Sequence, residues 1–344
     1  MSGGVDSSVA AYLLKERGFD VHGVSFILWE TRQRSGHAAC CSLDAIRDAS
    51  LTSAALGITH REIDVRDIFI EKVIEPFISD YGRGLTPNPC ILCNKHIKFP
   101  ILMAEAEHLG FEYISTGHYA KIEDNTLKAG VDDKKDQSYF LYVLERDMLK
   151  KIIFPLGDLT KEAVRELAAR LNLASAHRAE SQDICFIEGG NYRKFIKDYL
   201  GSQGDSHGKI VDIDGKTLGM HDGLYAYTLG QRRATGVAAG VPLYVVEIDT
   251  VNNMLVLGPQ EFVMKREINV SDINMLSKVN EDLEFPIRAN VKFRSTMKGA
   301  SCVLSKNNRG GITVTFDEPQ YAPARGQSAV FYVGERVIGG GIIV

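Results

Sequence analysis

Strand-like and helix-like patterns alternate through the first part of the chain, and this alternation most limits the possible folds. Apolar runs short enough for buried strands span residues 21–28 and 58–65. Helical periodicity follows each run, first over residues 42–57 and then over residues 67–81. Strands that alternate with helices predict βαβ units and a parallel sheet. Ligands of such sheets bind at the carboxyl ends of the strands, where we expect the functional site.

The chain opens on a glycine-containing loop that leads into a predicted helix over residues 8–17. Adjacent Gly3 and Gly4 permit positive φ and let main-chain N–H groups approach anionic oxygens. Such a loop before a helix N-terminus predicts a phosphate site. It is not the P-loop, since no lysine follows the glycines, nor the dinucleotide G-x-G-x-x-G. The alternative is an ordinary turn with a helix cap, because Asp, Ser and Gly-Gly all serve there.

A loop of this kind normally follows a buried strand, whereas only Met1 stands before Ser2 here. We therefore expect a strand of about five residues to be missing from the start of the sheet. The predicted fold class does not depend on that strand.

Length and charge narrow the class of protein. A chain of 344 residues is expected to form two or three domains. Its formal net charge of −4 predicts that any nucleic-acid surface is local. No apolar run is long enough to span a membrane, and the start resembles neither a secretory signal nor a transit segment, so we expect a cytoplasmic protein.

Six cysteines, two of them adjacent and two in a C-x-x-C motif, do not resemble a secreted disulfide framework. In a reducing compartment this spacing indicates metal binding or redox chemistry. Cys40 and Cys41 stand near His37, which suggests a metal site. The alternative is that both are small buried hydrophobic residues.

The C-x-x-C motif joins Cys90 to Cys93 and follows two prolines around Asn88, which predict a rigid, extended loop. Cys93 stands where a helix over residues 94–108 is predicted to begin. The helix N-terminus and Lys95 would both favour its thiolate. The alternative is a structural C-x-x-C.

Two further polar segments lie near predicted strand ends. His118 follows a glycine after a short strand, where a parallel sheet places its sites, although a lone histidine is more often structural. Residues 134–139 are interpreted as an exposed loop. Its two lysines suit phosphates, and a solvated charge run is the alternative.

The composition changes at residues 201–208, where we place a domain boundary. Short strand-like segments follow, with turns rich in Gly, Asp and Asn. They span residues 208–218, 225–230, 243–249, 254–258, 285–294, 300–304, 311–316, 328–333 and 337–344. From about residue 267 onward, these segments predict a small barrel or sandwich.

A series of short motifs gives the chain a resemblance to the tRNA-specific 2-thiouridylases, which install sulfur on the wobble uridine of certain tRNAs. The resemblance covers essentially the whole chain. Its motifs are Ser2-Gly3-Gly4-Val5-Asp6-Ser7-Ser8, Thr86-Pro87-Asn88-Pro89, Cys93-Asn94-Lys95, Ile97-Lys98-Phe99, Thr116-Gly117-His118-Tyr119, Lys135-Asp136-Gln137-Ser138-Tyr139-Phe140, Ile184-Cys185-Phe186-Ile187, Leu229-Gly230-Gln231-Arg232 and Gly326-Gln327-Ser328-Ala329-Val330-Phe331-Tyr332. The first motif is shared by many adenylating enzymes, and the ordered set is specific to this family.

The resemblance implies an α/β fold class with three domains. A parallel-sheet, adenine-nucleotide α-hydrolase-like (ATP pyrophosphatase) domain would span residues 1–200. A small β-rich central domain that contacts tRNA would span residues 201–265. A C-terminal β-barrel would span residues 266–344.

The resemblance also implies roles for individual residues. The ATP phosphates would be bound by Ser2, Gly3, Gly4, Val5, Asp6 and Ser7, with Asp6 near Mg²⁺ and with Phe26 and Gly117 against adenosine. Cys93 would be the nucleophile, and Cys185 would carry a persulfide. The target base would contact Asn88, Pro89 and Cys90. The rest of the tRNA would contact His118, Lys135, Asp136, Gln137, Arg294, Ser295 and Gln327.

The implied reaction adenylates the C2 oxygen of uridine, which is otherwise a poor leaving group, and then transfers sulfur from the Cys185 persulfide. Either Cys93 attacks the sulfur–sulfur bond and a Cys93–Cys185 disulfide remains, or Cys93 releases sulfide that attacks the adenylate. The sequence leaves both orders open. The implied partners are a tRNA with a wobble uridine and a cysteine desulfurase or sulfur-relay protein.

The chain departs from the family pattern at Cys90, where some relatives carry aspartate. A general-acid role for this position therefore does not carry over. A third thiol beside Cys93 and Cys185 makes an iron–sulfur cluster conceivable, although we favour the reaction without one.

Two other functions remain as alternatives. One is a small-molecule ligase or amidotransferase with the same ATP loop, which would turn over ATP without tRNA. The other is a non-enzymatic RNA-binding protein whose cysteines hold a metal, which would consume no ATP.

Overall fold

The computed structural model describes residues 1–29, 43–176, 184–201, 206–277 and 283–344. Its contacts divide the chain into two compact units. The first comprises residues 1–73, 89–190 and 335–338, and the second comprises residues 74–88, 191–334 and 339–344. The metal site considered for Cys40, Cys41 and His37 lies outside the described residues.

The first unit contains short strands that pair in parallel. Its strands are β1 (His22–Ile27), β2 (Thr59–Asp64), β3 (Ile114–Ser115), β4 (Ala120–Glu123), β5 (Thr126–Ala129) and β6 (Ile152–Ile153). β1 pairs in parallel with β2, His22 opposite Thr59, and β3 pairs in parallel with β6. β4 and β5 form an antiparallel hairpin. The predicted parallel α/β arrangement is therefore confirmed.

Most residues predicted to be helical over 8–17, 42–57 and 67–81 are helical in the structure. The α-helices of the described residues are α1 (Val5–Glu16), α2 (Leu43–Leu56), α3 (Arg66–Phe69), α4 (Glu75–Gly82), α5 (Pro89–Cys93), α6 (Phe99–Leu109), α7 (Lys161–Arg170) and α8 (Tyr192–Leu200). Thr160 caps α7, since its side chain accepts from the N–H of Ala163 at 3.2 Å. None of the helices in the described ranges is long and apolar enough to cross a membrane.

A buried apolar cluster packs α1 against α7 within the first unit. Its members are Val5, Val9, Ala10, Tyr119, Leu156, Val164, Ala168 and Leu173. Val9 and Val164 are fully buried. The cluster fixes the position of α1, and therefore of the loop before it, relative to the first turn of α7.

Two helical stretches differ from the predicted continuous helices. Residues 70–74 and 94–98 form wider π-helical turns. Each of these turns is followed by a proline near the start of the next helix, Pro76 in α4 and Pro100 in α6. Proline has no N–H for the carbonyl four residues earlier, which explains why the helical ladder widens just before it.

The predicted start of the helix after the C-x-x-C motif is also wrong. The chain becomes helical at Pro89 and not at residue 94, so Cys90 and Cys93 lie inside α5. Proline suits the first helical position because its missing N–H has no helical partner there. The extended segment is therefore shorter than the predicted rigid loop.

The second unit contains α4, α8 and a four-stranded sheet. Its strands are β7 (Gly208–Asp212), β8 (Thr217–His221), β9 (Tyr244–Asp249) and β10 (Met254–Gly258), in the order β8-β7-β10-β9. The predicted strand over residues 225–230 is wrong, because residues 224–226 form a 3₁₀ turn closed by local bonds to Gly223 and Leu224.

A closed barrel completes the C-terminal part of the chain. Its strands are β11 (Met264–Met275), β12 (Ile287–Lys292), β13 (Ala300–Lys306), β14 (Ile312–Tyr321), β15 (Ser328–Val333) and β16 (Arg336–Ile343). They pair in the order β11-β14-β13-β12-β15-β16, and β16 returns to β11. Alternate residues of β12 and β14 are buried, as period-two patterning requires. The predicted C-terminal β-barrel is confirmed.

Gly3 lies in the tightly packed opening loop, whereas Gly18 follows α1 and has open surroundings. Both have positive φ, 71° and 85°. A Cβ on Gly3 would lie 2.0 Å from the carbonyl oxygen of Ala45 in α2, whereas a Cβ on Gly18 would meet open space.

We expect Gly18→Ala to lower the free energy of unfolding by about 1 kcal/mol, the cost of left-handed backbone alone. We expect Gly3→Ala to cost about 3 kcal/mol, because the added methyl also displaces main-chain atoms of α2. Urea unfolding followed by circular dichroism measures both. Equal losses in the two variants would contradict the close contact between the loop and α2.

Candidate functional site

The opening loop is folded back on its own polar groups. The N–H of Ser2 donates to Ser7 Oγ at 3.0 Å, and the N–H of Gly4 donates to Ser2 Oγ at 3.4 Å. The hydroxyls of Ser7 and Ser8 both donate to the carbonyl of Gly4, at 3.1 and 3.0 Å. Gly4 is the N-cap of α1. These bonds fix the loop directly before a helix N-terminus, an arrangement that suits phosphate oxygens.

Asp6 takes part in an ion pair that the sequence did not reveal. Both carboxylate oxygens of Asp6 accept from Lys161 Nζ at 2.7 Å, and the hydroxyl of Tyr119 donates to Oδ1 at 2.6 Å. The side chain of Lys161 is 10% exposed and that of Asp6 is 33% exposed. The pair places the buried ammonium of Lys161 against a carboxylate that is itself fixed by a second hydrogen bond.

Gly117 packs directly against the main chain of the loop. A Cβ on Gly117 would lie 2.8 Å from the carbonyl carbon of Asp6 and from the nitrogen of Ser7. Glycine therefore allows the segment after β3 to reach the loop. Its predicted contact with adenosine stays a prediction.

A cavity of about 880 Å³ opens beside the loop. The predicted site residues that line it are Ser2, Gly4, Val5, Asp6, Ser7, Phe26, Pro89, Cys90, Cys93, Gly117, His118, Gln137 and Cys185. Gly3 packs against the main chain of Ala45 in α2 and does not line the cavity. Another part of the cavity is lined by residues of β1 and β3 and by apolar side chains such as Leu14, Leu102 and Phe111. The structure thus brings the predicted phosphate loop and three cysteines to one cavity.

The thiol of Cys93 is buried, with 4% of the residue exposed. Burial raises the pKa of this thiol, the charge of Lys98 lowers it in part, and Cys90 raises it further. Cys93 is the last residue of α5 and not at a helix N-terminus. The prediction that a helix start favours its thiolate is therefore wrong, because desolvation disfavours the charged form.

Cys90 and Cys185 are both partly exposed, and neither they nor Cys93 form a disulfide. All three line the cavity. Phe186, which follows Cys185, is buried and packs edge-on against Phe69 at 5.7 Å between ring centres. This ring contact places the segment that carries Cys185 on the helical layer after β2.

His118 is a neutral imidazole held between aromatic rings. Its ring stacks on that of Phe99, with 5.8 Å between ring centres, and contacts the ring of Phe154 edge-on, with 5.9 Å between centres. Its Nδ1 shares a hydrogen bond of 2.6 Å with the hydroxyl of Thr116. Burial, with a further contribution from the charge of Lys98, lowers the pKa of His118 to about 3. His118 can therefore donate or accept a hydrogen bond in the cavity but brings no positive charge to a phosphate.

Lys98 and Arg165 are further cavity residues that the sequence analysis did not assign. Lys98 belongs to the π-helical turn after Cys93, and its charge acts on Cys93 and His118. Arg165 lies one helical turn after Lys161 on α7. Their helical position gave no signal of function, because charged residues on a helix usually face solvent.

Asp136 is buried, so the interpretation of residues 134–139 as an exposed loop is wrong at its centre. Its residue is 8% exposed, and its Oδ1 accepts from the N–H groups of Gly130 and Ser138 at 3.2 and 3.0 Å. The carboxylate replaces main-chain partners in a turn, as Asp side chains often do. Its predicted contact with tRNA stays a prediction.

Gln137 supports the turn that carries Tyr119. Its Oε1 accepts from the N–H of Tyr119 at 3.0 Å, and its own N–H donates to the carbonyl of Tyr119 at 2.8 Å. Lys135 is partly exposed beside it. Asn88 belongs to the second unit. The tRNA contacts predicted for these residues stay predictions.

Arg294, Ser295 and Gln327 also belong to the second unit. Arg294 Nη2 donates to the carbonyl of Ala322 at 2.8 Å. The Oε1 of Gln327 accepts from the N–H of Ala324 at 3.1 Å. Both side chains therefore brace the segment after β14, and their contact with tRNA stays a prediction.

No group of three His, Cys, Asp or Glu side chains that could hold a metal ion is found within the described residues, Cys90, Cys93 and Cys185 included. Asp6 is the carboxylate nearest the loop amides in sequence, and its oxygens bond to Lys161. The donor set fits Mg²⁺ only where phosphate oxygens complete the coordination, as is usual for nucleotide-bound Mg²⁺.

Comparison with protein families matches three consecutive parts of the chain. Residues 1–189 match the tRNA methyl transferase HUP domain, residues 193–259 match the tRNA methyl transferase PRC-barrel domain, and residues 265–343 match the aminomethyltransferase beta-barrel domain.

Curated relatives match over the full chain. The tRNA-specific 2-thiouridylase MnmA of Clostridioides difficile is 42% identical, and a tRNA-specific 2-thiouridylase MnmA of Caldanaerobacter subterraneus is 45% identical. Each alignment covers 100% of this chain and 96% of the relative. A solved structure, a predicted subunit of tRNA methyltransferase from Methanocaldococcus jannaschii, is 19% identical with a TM-score of 0.33, covering 60% of this chain and 86% of that one. That likeness is too slight to support an argument.

The neutral state of His118 predicts how stability depends on pH. The unfolded chain has a histidine pKa near 6.5 and the folded value is lower, so the unfolded state binds more protons as pH falls. Stability from this residue is complete above the unfolded pKa and is lost below it. Between pH 7.5 and 5.5 we expect His118 to account for a loss of about 1 kcal/mol in the free energy of unfolding.

Urea unfolding at the two pH values, compared with His118→Asn, isolates this contribution from the other histidines. The variant should show a smaller loss on acidification than the parent protein. An unchanged pH dependence in His118→Asn would mean that His118 is not held neutral by burial.

Proposed function

The chain belongs to the family of the tRNA-specific 2-thiouridylases, and we propose that it is a tRNA-uridine 2-sulfurtransferase that uses ATP to replace the C2 oxygen of a wobble uridine by sulfur. One observation carries the proposal. Ser2, Gly4 and Ser7 of the opening loop line the same cavity as Cys93 and Cys185. ATP activates the C2 oxygen of uridine, and sulfur then attacks the C2 carbon. The phosphate loop and the cysteines must therefore face the same part of the substrate.

The proposed first step is adenylation. The C2 oxygen of uridine attacks the α-phosphorus of ATP, and pyrophosphate leaves. The loop suits the phosphate oxygens because its backbone is fixed by internal bonds and stands at the N-terminus of α1. Phe26 and Gly117 line the same cavity and are proposed to contact adenosine.

The proposed second step transfers sulfur and releases AMP. The terminal sulfur of a Cys185 persulfide bonds to C2, and the C–O bond to AMP breaks. When Cys93 attacks the sulfur–sulfur bond, a Cys93–Cys185 disulfide forms and an external reductant must return two electrons. In the other order Cys93 releases hydrosulfide first, and that ion attacks C2.

The buried thiol of Cys93 needs help to react, because burial raises its pKa. The ammonium of Lys98 favours the thiolate, and the partly exposed Cys185 is the more accessible of the pair. We propose that external sulfur is loaded on Cys185 and that Cys93 acts within the closed site.

Mg²⁺ is proposed to arrive with ATP and to be held by Asp6 together with phosphate oxygens. When bound, it would neutralise charge on the phosphates. The iron–sulfur alternative has no support from a cluster of ligands among the described residues.

The proposed partners are a tRNA with a wobble uridine and a cysteine desulfurase or sulfur-relay protein, all in the cytoplasm. The uridine would leave its stack to reach the cavity. Pro89, Cys90, His118 and Gln137 line that cavity and are proposed to contact the base or its neighbours. We assign residues 1–200 to catalysis, and residues 201–265 and 266–344 to the two β-rich domains, with Asn88, Arg294, Ser295 and Gln327 in contact with RNA.

The two-cysteine reaction predicts that Cys93→Ser and Cys185→Ser each reduce 2-thiouridine formation by at least about a hundredfold, because serine cannot carry or reduce a persulfide. The assay combines an unmodified tRNA transcript, ATP and a sulfide or persulfide source, and detects thiolated tRNA by retardation in a mercury-containing gel. Binding of tRNA, measured by filter retention, should stay within about twofold of the parent.

Cys302→Ser is the matched control. Cys302 is buried in the barrel, and its Sγ donates to the carbonyl of Ala289 at 3.4 Å, a bond that a serine hydroxyl can keep. This variant should thiolate tRNA at the parent rate. Full activity in either Cys93→Ser or Cys185→Ser would refute the two-cysteine reaction.

A further inference from the structure

We propose that the π-helical turn over residues 94–98 brings the ammonium of Lys98 to the sulfur of Cys93, and that Lys98 is the positioning residue that lets this sulfur attack as an anion. Both side chains line the cavity beside the opening loop, and Lys98 is partly buried there. The inference rests on the proposed two-cysteine reaction and adds the group that prepares Cys93 for it.

The first reason is the width of the helical turn. In an α-helix, a residue five positions after Cys93 would stand about 140° away around the helix axis. The main-chain hydrogen bonds of a π-helical turn join residues five apart, so residues 93 and 98 lie on the same side of the helix, one turn apart. Turns of this kind are frequent at functional sites. The wider turn therefore moves Lys98 to the side of the helix that carries Cys93.

The second reason is that the turn is anchored on both sides of Lys98. The side-chain Nδ2 of Asn94 donates to the carbonyl of Phe140 at 3.0 Å, and Asn94 is 1% exposed. Ile97 and Phe99, the two neighbours of Lys98 in the chain, are fully buried. A main chain held in this way fixes the point from which the Lys98 side chain enters the cavity.

The third reason is the electrostatic state of the thiol. Burial raises the pKa of Cys93 and Cys90 raises it further, whereas the charge of Lys98 lowers it. The sequence analysis expected this effect from Lys95. Lys95 is exposed and is not among the described residues that line the cavity. The structure therefore assigns the role to the last residue of the turn and not to its second.

Other titratable groups reach the cavity from the elements around it. His118, after β3, is neutral, and Asp6 and Lys161 are paired with each other. Glu105 of α6 is paired with Arg61 at 2.8 Å. The remaining groups of this kind that line the cavity are the amino group of Met1, Asp20, His22, Glu112, Tyr113, Arg165 and Cys185. Among the described residues, Lys98 and Cys90 are those whose charges act on the Cys93 thiol.

The test measures how fast iodoacetamide alkylates Cys93 in the full-length protein, with the peptide that contains Cys93 quantified by mass spectrometry. The reagent is neutral and reacts with the thiolate. At pH 8, Lys98→Gln should be alkylated about three- to tenfold more slowly than the parent, because loss of the ammonium lowers the thiolate fraction. The greater nucleophilicity of a more basic thiolate offsets part of that loss. Lys98→Arg keeps the charge and should stay within about twofold of the parent.

Lys98→Glu separates charge from packing, because it has nearly the same shape as Lys98→Gln. It should be alkylated about threefold more slowly still, since a carboxylate disfavours a neighbouring thiolate. A variant series that only disturbed the turn would not follow the order of charge. Because the order is defined by three substitutions, two of them suffice if the third does not fold. Lys95→Gln is the matched control, which removes an exposed charge from the same turn and should leave alkylation of Cys93 at the parent rate.

Equal alkylation of Lys98→Gln and the parent, or equal alkylation of Lys98→Gln and Lys98→Glu, would overturn the inference. So would a loss in Lys95→Gln as large as that in Lys98→Gln. Alkylation needs neither ATP nor tRNA, so it tests Lys98 independently of the proposed function. If alkylation follows the charge at residue 98 and the parent forms no 2-thiouridine, the proposed function alone fails. If the parent thiolates tRNA and alkylation does not follow that charge, this inference alone fails.

Discussion

The ion pair between Asp6 and Lys161 fixes the geometry on which the site depends. It ties the first turn of α1 to the first turn of α7, and the Tyr119 hydroxyl ties both to the segment after β3. The side chain of Lys161 is 10% exposed, so a carboxylate at this distance stabilises its charge where little water can reach it. The apolar cluster between α1 and α7 lies directly behind it, so packing and electrostatics hold the same two helices together.

This arrangement determines which reactive groups line the same cavity. The loop packs against α2 at Gly3 and against Gly117 on another side, and Ser2, Gly4 and Ser7 line the cavity. The cysteines reach the same space from α5 and from the segment before α8. Desolvation raises the pKa of the Cys93 thiol and lowers that of the His118 ring, so both groups favour their neutral forms in this cavity.

Sequence periodicity predicted much of the fold, because it reflects local structure. The helices predicted over residues 8–17 and 42–57 correspond to α1 and α2. The parallel pairing of β1 with β2 followed from the intervening helix. The first turn of α5 was missed because Pro89 was interpreted as part of an extended segment, although proline also suits the first position of a helix.

The parts of the site that the sequence did not reveal depend on contacts between distant residues. Lys161 is 155 positions from Asp6, and no local pattern marks one as the partner of the other. Tyr119 belongs to a motif that was recognised, but its hydrogen bond to Asp6 needs the folded β3 segment. The burial of Asp136 and the raised pKa of Cys93 likewise arise from surroundings that only tertiary packing supplies.

The most direct test of the account follows the oxygen that is removed from uridine. A tRNA transcript carrying ¹⁸O at the C2 position of its wobble uridine would be incubated with the protein, ATP and the sulfur source, and the AMP would be analysed by mass spectrometry. The account predicts one ¹⁸O in the phosphate of each AMP formed with 2-thiouridine, since that oxygen becomes the bridge in the adenylate. Thiouridine formed with unlabelled AMP, or with ADP as the product, would contradict adenylation of the C2 oxygen.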